Sequence, residues 1–133
     1  MNIVDALDDE ALFAPHFRGS SWDTWRAFLA ATFALPMTEA ETALYQQYTG
    51  RTVTPVEPFR EVALVCGRRA GKSRMLALIA TYLSVFRNYG PHLAPGERAT
   101  VSVIASDRRQ ARGIYRYIVG MFRAVPMLED LIV

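Results

Sequence analysis

Apolar side chains recur at helical spacing in two stretches of the first fifty residues. A helix is predicted over residues 21–35 from the spacing of Trp22, Trp25, Phe28, Leu29 and Phe33. A second helix is predicted from Thr38 to Thr49, because Thr38 and Glu41 have the spacing of a capping box and Gly50 is a typical C-terminal signal. The chain is therefore expected to begin with two helices.

The pattern changes after residue 60, where two short apolar runs alternate with two longer helical patterns. The runs Glu61–Cys66 and Ala99–Ala105 are nearly continuous, which is typical of buried strands in a parallel sheet. Helices are predicted over residues 71–88 and 107–124, the second on a clear i, i+3, i+4 apolar stripe. The order strand, helix, strand, helix predicts an α/β fold with a parallel-sheet βαβα unit after the two N-terminal helices.

Two regions are predicted along the chain. Residues 1–60 form a helical lead-in and connector, of which residues 1–20 are expected to be loosely ordered. Residues 61–133 form the core. Two strands make a poor sheet, and no turn or cap closes the sequence after Pro126, so the core is expected to be truncated.

Composition and charge add the expected location and a class of partner. The N-terminus is acidic and the longest apolar run, Met75–Phe86, is too short for a membrane span, so neither a secretory signal nor a membrane contact is expected. One cysteine fits a reducing interior, and a cytoplasmic protein is the simplest expectation. Residues 1–66 carry four arginines against nine acids, whereas residues 67–133 carry eleven basic side chains against four acids. A polyanion is the natural partner for the basic half, although ordinary domains also segregate charge.

The candidate chemistry lies between the first run and the helix after it, in Val62-Ala-Leu-Val-Cys66-Gly-Arg-Arg-Ala-Gly71-Lys72-Ser73. Lys72 is the only lysine beside fourteen arginines, and a compact ammonium suits a tight phosphate-binding loop better than a guanidinium. In a P-loop, glycine permits close approach of the backbone, lysine contacts the β- and γ-phosphates, and a Ser or Thr hydroxyl binds Mg²⁺. Gly71, Lys72 and Ser73 fit these roles. A partial P-loop NTPase core that binds ATP and Mg²⁺ is therefore predicted.

The loop departs from the regular motif at its first position. Cys66 stands where the motif has a glycine, and Gly67 follows one position later. A glycine turn followed by a basic residue, without a nucleotide, is the alternative explanation. With this departure, residues 65–73 resemble the phosphate loop of the large terminase subunit of tailed bacteriophages. In that family the first glycine is often lost and an arginine stands inside the loop. Residues 45–51 and 103–111 are similar to flanking elements of the same ATPase domain.

The resemblance implies an ATP-driven motor that packages viral double-stranded DNA, together with a small terminase subunit and a portal, in the cytoplasm of a bacterial host. It implies that ATP is bound by Gly67, Arg68, Arg69, Ala70, Gly71, Lys72 and Ser73, with Ser73 on Mg²⁺. It also implies catalytic roles for Lys72 and for a loop arginine on the γ-phosphate. Arg68 fits that role best by spacing, and Arg69 is its close rival. The alternatives are a fragment of another helicase-like P-loop translocase and a non-catalytic prophage remnant.

Some features of such a motor are missing from the sequence. No aspartate–glutamate pair follows a later apolar strand and no nuclease carboxylate cluster is visible, so ATPase activity is left open. Asp107 is followed by Arg108 and is better explained as a helix cap. The last helix carries four arginines on one face, which would suit DNA phosphates or form an ordinary solvated surface: Arg109, Arg112, Arg116 and Arg123. Self-association is expected, because the two strands would leave an open sheet edge.

Overall fold

The computed structural model describes residues 1–132, and these residues form six α-helices joined by turns and extended segments. The helices are α1 (Ile3–Asp8), α2 (Asp23–Thr32), α3 (Glu39–Thr49), α4 (Lys72–Val85), α5 (Arg108–Ala124) and α6 (Pro126–Glu129). Single 3₁₀ turns lie at Ala14–His16, Ser20–Trp22 and Gly90–His92. None of these helices combines the length and the apolar character that a membrane crossing requires. The chain divides into two compact units, an N-terminal unit of residues 2–66 and a C-terminal unit that begins at Gly67 and includes Met1.

The predicted α/β fold is wrong, because residues 1–132 contain no β-strand. The segments Glu61–Cys66 and Ala99–Ala105, predicted as parallel strands, have no regular secondary structure. An isolated strand cannot satisfy its own N–H and C=O groups, so an apolar run becomes a strand only where a partner strand lies beside it. The two segments belong to different compact units, and each unit contains only one of them. The parallel sheet and the βαβα unit are therefore not part of this structure.

The N-terminal unit begins with an ordered helix, so the loose lead-in expected over residues 1–20 is also wrong. Asn2 caps α1 by accepting hydrogen bonds from the backbone N–H groups of Val4 and Asp5, and the Asp5 carboxylate accepts the N–H of Asn2 in return. The apolar face of α1 is buried, as is Phe13 in the loop that follows it: Ile3, Ala6, Leu7 and Phe13 are at most 1% exposed. The short reciprocal cap and the buried face together stabilise a helix that is too short to form alone.

Helices α2 and α3 lie where the sequence predicts helices, with shifted ends. Helix α2 ends at Thr32, before Ala34, which has a left-handed φ of +50°. Helix α3 has the predicted capping box, in which Thr38 Oγ1 accepts the Glu41 N–H at 3.2 Å and Glu41 Oε2 accepts the Thr38 N–H at 2.8 Å. It ends at Gly50, which is left-handed with a φ of +68°. The capping box and the glycine stop are therefore confirmed.

An ion pair joins the first two helices of the N-terminal unit. The Arg26 guanidinium of α2 donates two hydrogen bonds to the carboxylate of Asp8 at the end of α1. The hydrogen bonds that Arg26 donates to this carboxylate raise the pKa of Arg26, and partial burial acts in the opposite direction. An arginine whose pKa is raised above its ordinary value stays charged at every working pH. The pair is therefore a bidentate contact to a guanidinium that stays charged.

The C-terminal unit is built on the packing of α4 against α5. Met75, Ala77 and Leu78 of α4 are fully buried, and Val125 and Leu128, which follow α5, are fully buried as well. Thr81 is the buried polar residue of α4, and its Oγ1 lies 4.0 Å from the sulfur of Met121 on α5. The Tyr82 hydroxyl donates to the backbone carbonyl of Met1 at 3.2 Å. The N-terminal end of α4 extends out of this packed region and carries the loop of interest.

Candidate functional site

Gly71 makes the turn by which the loop enters helix α4. Its φ of +83° is left-handed, a conformation that costs little only in glycine. Its carbonyl accepts the N–H of Met75 at 3.0 Å, which is the first hydrogen bond of the helix. Glycine has no side chain that could cap α4, and the first N–H groups of any helix point away from its body. The turn therefore brings the N-terminus of α4 to the loop, and the Gly71 position itself supplies no side-chain cap.

Lys72 and Ser73 are the first two residues of this helix. The Lys72 side chain is exposed, and Ser73 is half-buried in the first turn. The 14 residues of α4 give the helix N-terminus a partial positive charge, to which the ammonium of Lys72 adds a full one. This is the arrangement that attracts phosphate groups in nucleotide-binding loops. The structure thus places Gly71 in the turn before α4 and Lys72 and Ser73 in the first turn of that helix.

The arginines of the loop lie in the turn that precedes Gly71. Arg68 and Arg69 are both exposed, and Arg69 has a left-handed φ of +60°. For a residue with a Cβ atom this conformation costs about 1–2 kcal/mol. Strained backbone of this kind occurs often where a loop is shaped to hold a ligand. The surroundings strengthen the positive field, because the sequence contains no aspartate or glutamate from Val62 to Gly96.

The remaining loop residues show how far the regular motif is preserved. Gly67 is not left-handed, and a Cβ atom at this position would meet nothing within 4 Å. The structure therefore gives Gly67 no conformational reason to be a glycine, in contrast to Gly71. Ala70 is exposed beside it, and Cys66 is a half-exposed free thiol at the position of the missing first glycine. Of the two loop glycines, Gly71 is the one whose backbone conformation favours glycine.

Asp107 has the structural role that the sequence favours. Its carboxylate accepts the backbone N–H of Gln110 at 2.9 Å and caps α5. The Gln110 side chain accepts a hydrogen bond from the Ser106 hydroxyl at 3.2 Å. Asp107 and Gln110 therefore form one of the two hydrogen bonds of a capping box, the one that Asp107 accepts. Within residues 1–132, no three side chains of the metal-binding types come together as a site for a metal ion.

Helix α5 presents a larger basic face than the four arginines named from the sequence. At about 100° per residue, Arg108, Arg109, Arg112, Arg116 and Arg123 fall within an arc of about 100° along a helix about 25 Å long. All five are exposed, and among the described residues none of them forms an ion pair. Arg108 shares the helical period of the others and could have been added from the sequence alone. The face is a strip of positive charge with no acid on the same helix.

Comparison of this chain with models of protein families, with curated proteins and with solved structures found no match. The resemblance to the large terminase subunit therefore depends on the residues of the loop and of its two flanking segments. One of the flanking segments does not have the secondary structure that the resemblance implies, because Val103–Ala105, which is similar to a second strand, is not a strand here. The loop with its helix is the part of the resemblance for which the structure provides a geometry.

Proposed function

We propose that residues Gly67–Ser73 bind the triphosphate of ATP together with Mg²⁺, and that the chain is an ATP-binding segment of a DNA-packaging motor of the large-terminase type. The observation that carries the proposal is the left-handed Gly71 directly before Lys72 at the start of α4. It combines a close-approach glycine, a helix N-terminus and the only ammonium side chain of the sequence at one point. The proposal depends on this loop and helix and not on a parallel sheet.

Each residue of the loop has a separate role in the proposal. The Lys72 ammonium bridges the β- and γ-phosphates as a point charge, and the Ser73 hydroxyl is a ligand of Mg²⁺. Either Arg68 or Arg69 places a guanidinium on the γ-phosphate, where it would stabilise charge that develops during phosphoryl transfer. The backbone N–H groups of the first turn of α4 add hydrogen bonds to the phosphate oxygens. Binding of the nucleotide is the part of this function for which the chain itself supplies the groups.

Replacing Lys72 is the direct test of nucleotide binding. In Lys72→Ala, the affinity for ATP·Mg²⁺ is expected to fall by about 1.5–3 kcal/mol, because a charge-assisted contact to phosphate is lost. Isothermal titration calorimetry measures the change. The matched control is Arg98→Ala, which removes an exposed positive charge from the same unit outside the loop and should leave the affinity nearly unchanged. Equal affinity of the wild type and Lys72→Ala for ATP·Mg²⁺ would contradict the assignment of the loop.

Double-stranded DNA is the polymer partner in this proposal, and the arginine face of α5 is the surface proposed to contact it. The face offers exposed guanidinium groups over about 25 Å, which is long enough to follow several phosphates of one strand, spaced about 3.4 Å along each strand. Such contacts position a protein on DNA without reading sequence. The small terminase subunit and the portal are proposed as protein partners through the resemblance alone.

Salt dependence tests the DNA contact. The double variant Arg109→Gln/Arg116→Gln removes two guanidinium groups from the face, and each lost phosphate contact lowers the slope of log K against log salt by about 0.9. The slope is therefore expected to decrease by about 1.8, as measured by fluorescence anisotropy with a labelled duplex. The control variant Arg87→Gln/Arg98→Gln makes the same change of net charge elsewhere in the C-terminal unit. An equal loss of slope in both variants would show that net charge, and not the α5 face, governs binding.

A further inference from the structure

A groove lies inside the C-terminal unit, between helices α4 and α5 and the extended segment Ala99–Ala105. Its volume is about 480 Å³, and it is open to solvent along one side. Apolar side chains from all three elements form most of its lining, including Ala80, Val101, Val103 and Ile118. The residues proposed to bind ATP do not contribute to it. The groove is thus a second surface feature that the nucleotide-binding proposal does not use.

One wall of the groove is a stretch of backbone without partners. Among residues 1–132, no backbone hydrogen bond joins any residue of Ala99–Ala105 to another residue. Val101 and Val103 line the groove, whereas the neighbouring Ile104 does not and is 92% exposed. Side chains that alternate between two sides are characteristic of an extended strand. The segment therefore has the chemical character of an unpaired sheet edge, over about seven residues.

The opposite wall supplies charge and an aromatic ring. Arg112 and Tyr115 of α5 line the groove, and Arg112 is the charged residue of the lining. Arg108 and Arg116 lie one turn of helix before and after Arg112, and all three are exposed. A ligand in the groove would contact mostly apolar side chains together with the positive charge of Arg112. Charge complementarity therefore favours a ligand with apolar groups and a carboxylate.

We infer that this groove binds an extended acidic–apolar peptide segment of a partner protein, which adds as a β-strand to residues 99–105. The partner backbone pairs with the N–H and C=O groups of that segment, its inward apolar side chains enter the groove, and an acidic side chain meets Arg112. A small organic anion would fill the groove but would leave the row of backbone groups unpaired. A nucleic acid would match the arginines but not the apolar floor. The inference is independent of ATP binding and concerns a different surface.

The test uses the full chain and a fluorescein-labelled seven-residue peptide of alternating valine and threonine with a central glutamate. Fluorescence anisotropy should show saturable binding by the wild type at concentrations where the chain is monomeric. Arg112→Glu should weaken binding about fivefold to tenfold, because an exposed attraction becomes a repulsion. A peptide with lysine in place of glutamate should show the reverse preference and bind Arg112→Glu better than the wild type. Arg123→Glu, which changes the same charge on α5 outside the groove lining, should bind the glutamate peptide like the wild type.

A second peptide separates strand addition from simple attraction. Methylation of alternate backbone nitrogens removes the ladder donors without changing charge or side chains, and it should abolish binding. The inference is overturned if the methylated peptide binds as well as the parent, or if Arg112→Glu and Arg123→Glu weaken binding equally. It is also overturned if the wild type shows no saturable binding of the peptide.

Discussion

At the scale of single residues, the two glycines of the loop behave differently although the motif treats both as structural. Gly71 is left-handed and stands at the junction with α4, whereas Gly67 lies in open space with an ordinary φ. The sequence correctly predicts that a helix begins at this point, because a glycine and a lysine before an apolar helical pattern indicate a helix start. It does not reveal that Arg69 also has a left-handed φ, because an arginine in a sequence gives no signal for that conformation.

The difference between the two glycines leads to a prediction. Gly71→Ala is expected to lower the free energy of unfolding by about 1–2 kcal/mol, because alanine must adopt a left-handed φ. It should also weaken ATP·Mg²⁺ binding, since the turn that presents the helix N-terminus is distorted. Gly67→Ala is the matched control and should change neither quantity measurably. Urea denaturation and calorimetry provide the two measurements. If Gly67→Ala proved as disruptive as Gly71→Ala, the argument from backbone conformation would be wrong.

At the scale of elements, the sequence predicts helices α2, α3, α4 and α5 but misses the short helices α1 and α6, and the two strands that it predicts are absent from residues 1–132. Thr38 with Glu41, Gly50 and the apolar stripe of α5 each act within a few residues, so local sequence determines the element. The runs Glu61–Cys66 and Ala99–Ala105 have strand-like composition, but a strand also needs a neighbour, and a sequence does not say where that neighbour lies. The groove beside α5 was missed for a related reason. It is formed by three elements that are separated in sequence and is visible only once they pack.

Asp107 provides the test at this scale, because a cap and a metal ligand respond differently to substitution. Asp107→Ala removes the cap of α5 and should lower the free energy of unfolding by about 1 kcal/mol. Asp107→Asn keeps a capping oxygen and removes the charge, so it should retain stability. Neither variant should alter the affinity for ATP·Mg²⁺, as calorimetry would show. A selective loss of Mg²⁺-dependent nucleotide binding in Asp107→Asn would instead make Asp107 a metal ligand.

At the scale of the whole molecule, large apolar side chains remain in water on both extended segments. Val65 is 100% exposed in the N-terminal unit, and Ile104 is 92% exposed in the C-terminal unit. Val62, Leu64 and Val101 are also exposed. Contiguous exposed apolar residues on unpaired backbone favour association between molecules. The expectation of self-association therefore stays a prediction, now based on side-chain exposure instead of an open sheet.

Sedimentation velocity tests this prediction. The wild type is expected to sediment faster as its concentration rises, and Val65→Thr/Ile104→Thr should reduce that dependence because two apolar contacts become polar. Val56→Thr is a matched control, since Val56 is 90% exposed but lies between Pro55 and Glu57, outside either apolar run. Identical sedimentation of the wild type and the double variant over the same concentrations would show that the molecules do not associate through these two segments.

The free thiol of Cys66 has a practical consequence for studying the loop. It is the only cysteine of the chain, it is half-exposed, and it directly precedes Gly67. A maleimide dye will therefore attach at one natural position, a few residues from the proposed phosphate contacts, without any engineered site. Its emission can follow nucleotide capture in real time in a stopped-flow instrument. Cys66, which makes the motif irregular, thereby becomes the attachment point for a reporter of nucleotide binding by the loop.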